Sequence, residues 1–353
     1  MDAGYERQRE PERETTAGPP PPWRGSGRGL LIGGAIAFGL LFLTIISIAL
    51  VLVAGPGDGR GGEGRAQAPE TFREKYISGK GADKIAVLPV VGQIGSKDSS
   101  SLGTAATPET LRDQLRQAAK DTKVKAIVLE INSPGGGVVA SDQMHKSIQD
   151  FKETTKKPVV VSMGETTASG GYYISTAADK IVANENTLTG SLGVIFSYLN
   201  YKDAADKLGL EEEVIKSGKY KDIGSAFRKP TEKELEILQT LIDESYDNFV
   251  DVIVEGRNLP KDRVRELADG RVYSGLQAES LGLVDELGDL EKATEISEEL
   301  AGIEEATVVR YEREPGLLGL LRARLTPPEP ETLKVLKAAG ISLNPELQYL
   351  YRP

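Results

Sequence analysis

Val159–Ser175, VVVSMGETTASGGYYIS, is the stretch from which the fold of this chain is read. Three valines directly after Pro158 have the β-branched, apolar character of a strand buried on both faces, and no charge falls between Thr166 and Ala178. The run then passes through Ala168, Ser169 and two glycines into a short helix expected over Gly170 to Ala178. A strand that feeds a helix through small residues is the building unit of a parallel α/β sheet. The same turn poses the functional question. Ser169 is either an uncrowded nucleophile or the N-cap of that helix, a position serines fill routinely.

Working outward, the alternation continues in both directions. KIAVLPVVGQI, VKAIVLEINS, DKIVAN, EEEVIKSG and ATVVRY have strand character. PETLRDQLRQAAKD and the segments Val138 to Thr154, Thr231 to Gly256, Lys261 to Ala268 and Leu290 to Leu300 have the spacing of helices. Strands separated by helices predict βαβ units with right-handed crossovers in one α/β domain over residues 83–311, without internal duplication.

Outside that domain the composition changes. Residues 1–29 are polar and rich in Pro and Gly and predict a disordered tail. Leu30 to Ala54 carry no charge over 25 residues, enough as a helix to exceed a hydrocarbon core of roughly 30 Å. They predict a transmembrane helix, with Trp23 as an interfacial aromatic. The arginines on its two sides are too evenly matched to orient it by charge alone. Residues 55–82 predict a flexible linker and residues 312–353 a C-terminal tail. That tail ends in apolar Leu347, Tyr349, Leu350 and Tyr351, which predicts docking, either in the protein's own substrate groove as a brake or on its own domain. A net charge of −10 gives no basic field for nucleic acid.

Acyl transfer needs a nucleophile, a base for its proton, and backbone N–H donors aimed at the developing oxyanion. EINSPGGGVVAS ends a buried strand in three glycines and opens a helix, which lets backbone N–H groups approach a ligand closely. The lack of Lys-Ser/Thr after these glycines argues against a nucleotide loop. Ser169 is the nucleophile candidate, with the Gly170 N–H beside it. The chain has no cysteine and one histidine, His145, whose surroundings read as an amphipathic helix at the surface or half-buried, so a lysine is the better candidate base. A lysine is a base only when neutral, so its pKa must fall from about 10.4 towards 7, a shift of roughly 4 kcal/mol against the charged form. Lys216 lies at the end of the expected strand EEEVIKSG and Lys219 and Lys221 just after it, and the residues alone do not choose among them.

Taken together and in order, NSPGGGV, ETTASGGYYIS, LTGSLGVI, KSGKYKDIGS and GRVYSGLQAESLGLVDELGD resemble the signal peptide peptidase A family, also called protease IV, in its short single-repeat bacterial form. The resemblance runs from about Lys84 to Val309. It implies a Clp-protease/crotonase-like fold and a serine/lysine dyad: Ser169 as nucleophile, Lys221 as general base, Ser191 orienting the lysine, and Gly136 and Gly170 as backbone oxyanion donors. It also implies a catalytic domain outside the cytoplasmic membrane, apolar peptides such as cleaved signal peptides as substrates, and no metal or nucleotide cofactor. Because longer relatives complete their dyad across two repeats, a single-repeat chain is expected to form a homo-oligomeric ring with shared sites. The competing expectations are an acyl-CoA-binding crotonase-like protein and a non-catalytic membrane scaffold.

Overall fold

The computed structural model describes residues 71–95, 106–313 and 348–350. The expected N-terminal tail and transmembrane helix lie outside these residues. Among the described residues no helix is long and apolar enough to cross a membrane.

Eleven strands and eight helices follow one another in the described chain. The strands are β1 (Phe72–Ser78), β2 (Asp83–Val91), β3 (Val124–Ser133), β4 (Gly135–Gly137), β5 (Val159–Ala168), β6 (Lys180–Ala183), β7 (Leu188–Gly190), β8 (Val272–Ser274), β9 (Glu286–Leu287), β10 (Ala306–Arg313) and β11 (Gln348–Leu350). The helices are α1 (Pro108–Lys120), α2 (Val138–Thr155), α3 (Gly170–Ser175), α4 (Lys202–Leu208), α5 (Glu232–Arg257), α6 (Lys261–Leu267), α7 (Gly275–Ser280) and α8 (Leu290–Ala301). The main sheet runs β1-β10-β2-β3-β5-β6-β9, with β7 paired to β5 and β8 to β7. Every pair from β10 to β9 is parallel, as is β5 with β7, whereas β1 and β8 join antiparallel. The expected α/β class with a largely parallel sheet is therefore the observed one.

Period-two alternation along the central strands divides the core between the two faces of the sheet. Ile85 and Val87 of β2 and Ala126 and Val128 of β3 pack with Ala293 and Ile296 of α8. Leu88, Val90, Ile127, Leu129 and Ile131 point to the other face, where Met144, Ile148, Tyr172, Phe249 and Ile253 cover them. Because both faces are covered, these strands read as continuous apolar runs.

Two expectations need correction. The linker expected over 55–82 contains β1, an edge strand whose Arg73, Glu74 and Lys75 are exposed; it is held by backbone pairing to β10, by Phe72 stacked on Tyr311 at 6.3 Å, and by Lys75 to Glu312 at 2.9 Å. The strand expected over EEEVIKSG is absent, and residues 211–216 are irregular. Val214 and Ile215 are adjacent, so a strand would turn them to opposite faces, and both stay exposed with no partner edge to pair with. The apolar end of the tail is docked, with Gln348–Leu350 forming β11 against β4.

Candidate active site

The sheet's carboxyl edge gathers Ser169, Ser191, Gly136 and Gly170 among the residues singled out from sequence. Ser169 follows β5 and opens α3 with φ 52° and ψ −114°. Four non-glycine residues have positive φ among those described: Lys156, Ser169, Ser191 and Asn258. Lys156 and Asn258 are ordinary left-handed helix C-caps. The remaining two are serines at the ends of the paired strands β5 and β7, where Ala168 lies opposite Gly190. Strain of this kind persists only where the surroundings over-determine it, and it turns the serine side chain out of the path from strand to helix. The surroundings do so here: the Ser169 N–H donates to the Gly190 carbonyl at 2.8 Å, and its carbonyl accepts from the Tyr173 N–H at 2.8 Å.

The two readings of Ser169 now separate. Its side chain makes no capping bond to α3. Its Oγ is buried and has no hydrogen-bond partner among the described residues. A buried hydroxyl that neither caps nor pairs is the exception in folded proteins, and one aimed at a reactive site is a reason for it.

Next to it lies β4, three glycines bridged on one side to Ile94. The Gly137 N–H donates to the Ile94 carbonyl at 3.0 Å and the Ile94 N–H donates to the Gly135 carbonyl at 2.8 Å. A Cβ on Gly136 would sit 1.8 Å from the Ile94 carbonyl oxygen, so no side chain fits. A Cβ on Gly170 would meet the Ser141 Oγ at 2.6 Å and the Gly136 nitrogen at 3.1 Å. The backbones of Gly136 and Gly170 are thus brought together beside Ser169, as an oxyanion site requires.

The other face of β4 is taken by β11, antiparallel, with Tyr349 opposite Gly136. Gln348 exchanges both of its backbone bonds with Ile195, at 3.0 Å each. Alternation along an antiparallel strand then turns the Tyr349 N–H and carbonyl towards Gly136. The Tyr349 carbonyl oxygen lies 3.0 Å from the Cβ position of Gly170 and 2.0 Å from that of Gly135. The Tyr349 side chain is 1% exposed, between Tyr173 and Phe249. Sequence spacing marks none of Ile94, Ser141 or Phe249 as part of a site, because they come from three separated segments and each reads as ordinary core or capping; Tyr349 belongs to the apolar tail end whose docking, in the substrate groove or on its own domain, the sequence predicts.

Ser191 stands one residue beyond β7, partly exposed, with its N–H donating to the Arg271 carbonyl at 2.7 Å. It is therefore level with Ser169 on the neighbouring strand. Lys221 lies on an exposed turn closed by its own N–H to the Gly218 carbonyl at 3.1 Å, and among the described residues no hydrogen bond joins it to Ser169. That turn is pinned by Asp222, which accepts from Lys216 at 2.7 Å and Arg228 at 2.9 Å, while Arg228 also pairs with Glu234 at 2.5 Å. The Arg228 guanidinium holds the Asp222 carboxyl well below the usual carboxylate range and, with the Thr231 N–H, holds Glu234 down at about 2. Lys216 is therefore engaged, and Lys219 stands over the Tyr220 ring at 5.2 Å.

His145 is buried rather than at the surface, its ring edge-on to Tyr173 at 5.3 Å. Burial pushes its imidazole down to about 4. It makes no hydrogen bond to the Ser169 Oγ, so His145 and Ser169 form no catalytic pair.

Residues 151–304 match peptidase family S49. A relative from Enterococcus faecium named signal peptide peptidase SppA is 39% identical over 247 residues, covering 69% of this chain and 72% of its own. A protease of Synechocystis is 41% identical over 221 residues, covering 63% of this chain and 76% of its own. Protease 4 of Haemophilus influenzae is 36% identical over 230 residues, and the match spans only 36% of that longer protein. Among solved structures, a point mutant of ClpP1 from Listeria monocytogenes overlaps 59% of this chain and 93% of its own at a TM-score of 0.39 and 20% identity, a likeness too loose for argument.

Proposed function

The chain belongs to peptidase family S49 and is a serine protease, and from that premise we propose that it cleaves apolar peptides, cleaved signal peptides among them, with Ser169 as nucleophile and Lys221 as general base. The observation that carries this reading is the strained, uncapped Ser169 beside the paired glycines of β4 and α3. Lys221 takes the Ser169 proton as Oγ attacks the scissile carbonyl carbon, and the Gly136 and Gly170 N–H groups receive the oxyanion. The amine leaves with that proton, and water then hydrolyses the ester by the same route in reverse. Ser191, level with Ser169, orients the lysine. The fold in which this happens is of the Clp-protease/crotonase kind.

Among the described residues no hydrogen bond joins Lys221 to Ser169, which supports completion of the site by a neighbouring copy. The segment around it carries Leu208, Leu210, Ile215 and Phe227 exposed, the apolar surface that a ring would cover. The uncharged stretch Leu30 to Ala54 anchors the protein in the cytoplasmic membrane with the catalytic domain outside, where peptides leaving the bilayer are close.

Turnover of a fluorogenic apolar peptide tests the assignment. Ser169→Ala and Lys221→Ala, each shown to be folded and assembled like the parent, are expected to lose at least about a thousandfold in kcat. Retained activity in Lys221→Ala would remove that lysine from the mechanism, and retained activity in Ser169→Ala would remove the serine.

A further inference from the structure

We propose that Thr167 and Thr189 are positioning residues for the cleavage reaction: their buried hydroxyls fasten β5 to β3 and to β7 just before Ser169 and Ser191, and so set the level at which the nucleophile meets its partners. The inference rests on the assignment of Ser169 as nucleophile. It starts from an irregularity in β5. That strand pairs with β3 up to Ile131 opposite Met163, and the next matched pair is Ser133 opposite Thr167, so β5 uses four residues where β3 uses two. At the same point β5 changes its other neighbour, from β6 up to Met163 to β7 from Thr166 onward. A bulge of this kind breaks the backbone ladder and re-aims the side chains that follow it. Buried backbone groups that lose a ladder partner there must find another.

Side chains supply the partners. The Asn132 Oδ1 accepts from the Thr166 N–H at 3.1 Å, and the Thr187 hydroxyl donates to the Gly164 carbonyl at 2.9 Å. Past the bulge, the Thr167 hydroxyl donates to the Ile131 carbonyl of β3 at 2.6 Å, and the Thr189 hydroxyl of β7 donates to the Thr167 carbonyl at 2.6 Å. Thr167 and Thr189 lie opposite each other, and each is 0% exposed. The three strands joined in this way each carry one part of the chemistry: β3 leads into the glycines of β4, β5 into Ser169 and β7 into Ser191. Threonine suits the task because its branched Cβ limits rotation and so fixes the direction of its hydroxyl. A misplacement of about 1 Å between reacting groups costs roughly a hundredfold in rate. Two short bonds that hold three strands level therefore act on kcat rather than on substrate binding.

Thr167→Val and Thr189→Val keep the side-chain shape and remove the donor. Each is compared in the full chain with the serine variant of the same position, which keeps the hydroxyl. With a fluorogenic apolar peptide, both valine variants are expected to lose about tenfold in kcat with KM within about twofold of the parent, and both serine variants to stay within about threefold of the parent's kcat. Thr187→Val is the control, because its bond to Gly164 lies at the far end of the bulge from Ser169. It should lower the melting temperature as the other valines do and leave kcat unchanged. Where a valine chain does not fold, alanine at the same position is read against serine instead. Unchanged kcat in the valine variants, a loss in KM alone, equal losses in serine and valine, or the same loss in Thr187→Val overturns the positioning role. A fluorophosphonate label mapped by mass spectrometry separates this result from the assignment beneath it. Label on a residue other than Ser169 overturns the nucleophile, whereas label on Ser169 that forms about tenfold more slowly in Thr167→Val supports the clamp.

Discussion

Burial pushes the His145 imidazole down to about 4, with Lys146 and Lys152 acting in the same direction and Asp142 opposing them. The unfolded chain, with an ordinary histidine near 6.5, therefore binds the extra proton between those values while the folded one refuses it. This contribution to stability is complete above about pH 6.5 and is lost as pH falls towards 4. Taking the parent from pH 7 to pH 5 should remove about 2 kcal/mol through this one group. His145 is the chain's single histidine, so urea unfolding of His145→Phe beside the parent isolates the term: the substitution should flatten the difference between the two pH values, and an unchanged difference would exclude the assignment. At this scale the sequence was readable where chemistry and backbone geometry coincide. Ser169 and Ser191 follow the paired strands β5 and β7, and Gly136 in β4 and Gly170 at the start of α3 have no room for a side chain. Phe249 escapes notice because an aromatic beside a site and an aromatic filling a core look alike until the segments are placed together, whereas Tyr349 is marked in advance by the apolar end of the tail.

Among elements, the turn that carries Lys221 depends on residues that follow it. Asp222 accepts from Lys216 and Arg228, Arg228 reaches Glu234 in the first turn of α5, and Thr231 and Glu234 close a capping box at that helix start. Arg228 thereby ties a loop without regular structure to a helix 26 residues long. Its fork of donors spans two carboxylates, a geometry lysine lacks. Arg228→Ala should therefore lower kcat by roughly a hundredfold through misplacement of the base, with little change in KM or melting temperature. Arg228→Lys should recover only part of that loss. Parallel loss of stability and turnover would instead make Arg228 a general structural residue. The elements legible in advance were those with a strong period, the central strands and the amphipathic helices. β1 was not, since an edge strand with one buried side chain, Phe72, is specified by pairing to β10 and leaves no apolar pattern of its own. EEEVIKSG failed in the opposite way, because its composition suits a strand but the fold offers it no edge.

For the whole molecule the open element is the route by which Lys221 meets Ser169. The match spans 36% of the length of Protease 4, and on the reading proposed above the site here is completed between copies. In a head-to-tail ring each site takes Ser169 from one protomer and Lys221 from the next. Ser169→Ala and Lys221→Ala chains are each inactive alone on this view. Mixed in equal amounts and reassembled at random, they place an intact serine beside an intact lysine at about one junction in four. Recovered activity should therefore approach about a quarter of the parent's, and should need exchange of protomers rather than simple contact. The exposed Leu208, Leu210, Ile215 and Phe227 supply an internal control, since a charge placed at Ile215 should lower both assembly and recovery together. If verified mixed rings stay inactive, the lysine must reach the serine within its own chain by movement of the 218–224 turn. Arg228 would then restrain the closing step instead of holding a finished site, and Arg228→Ala would raise turnover rather than lower it.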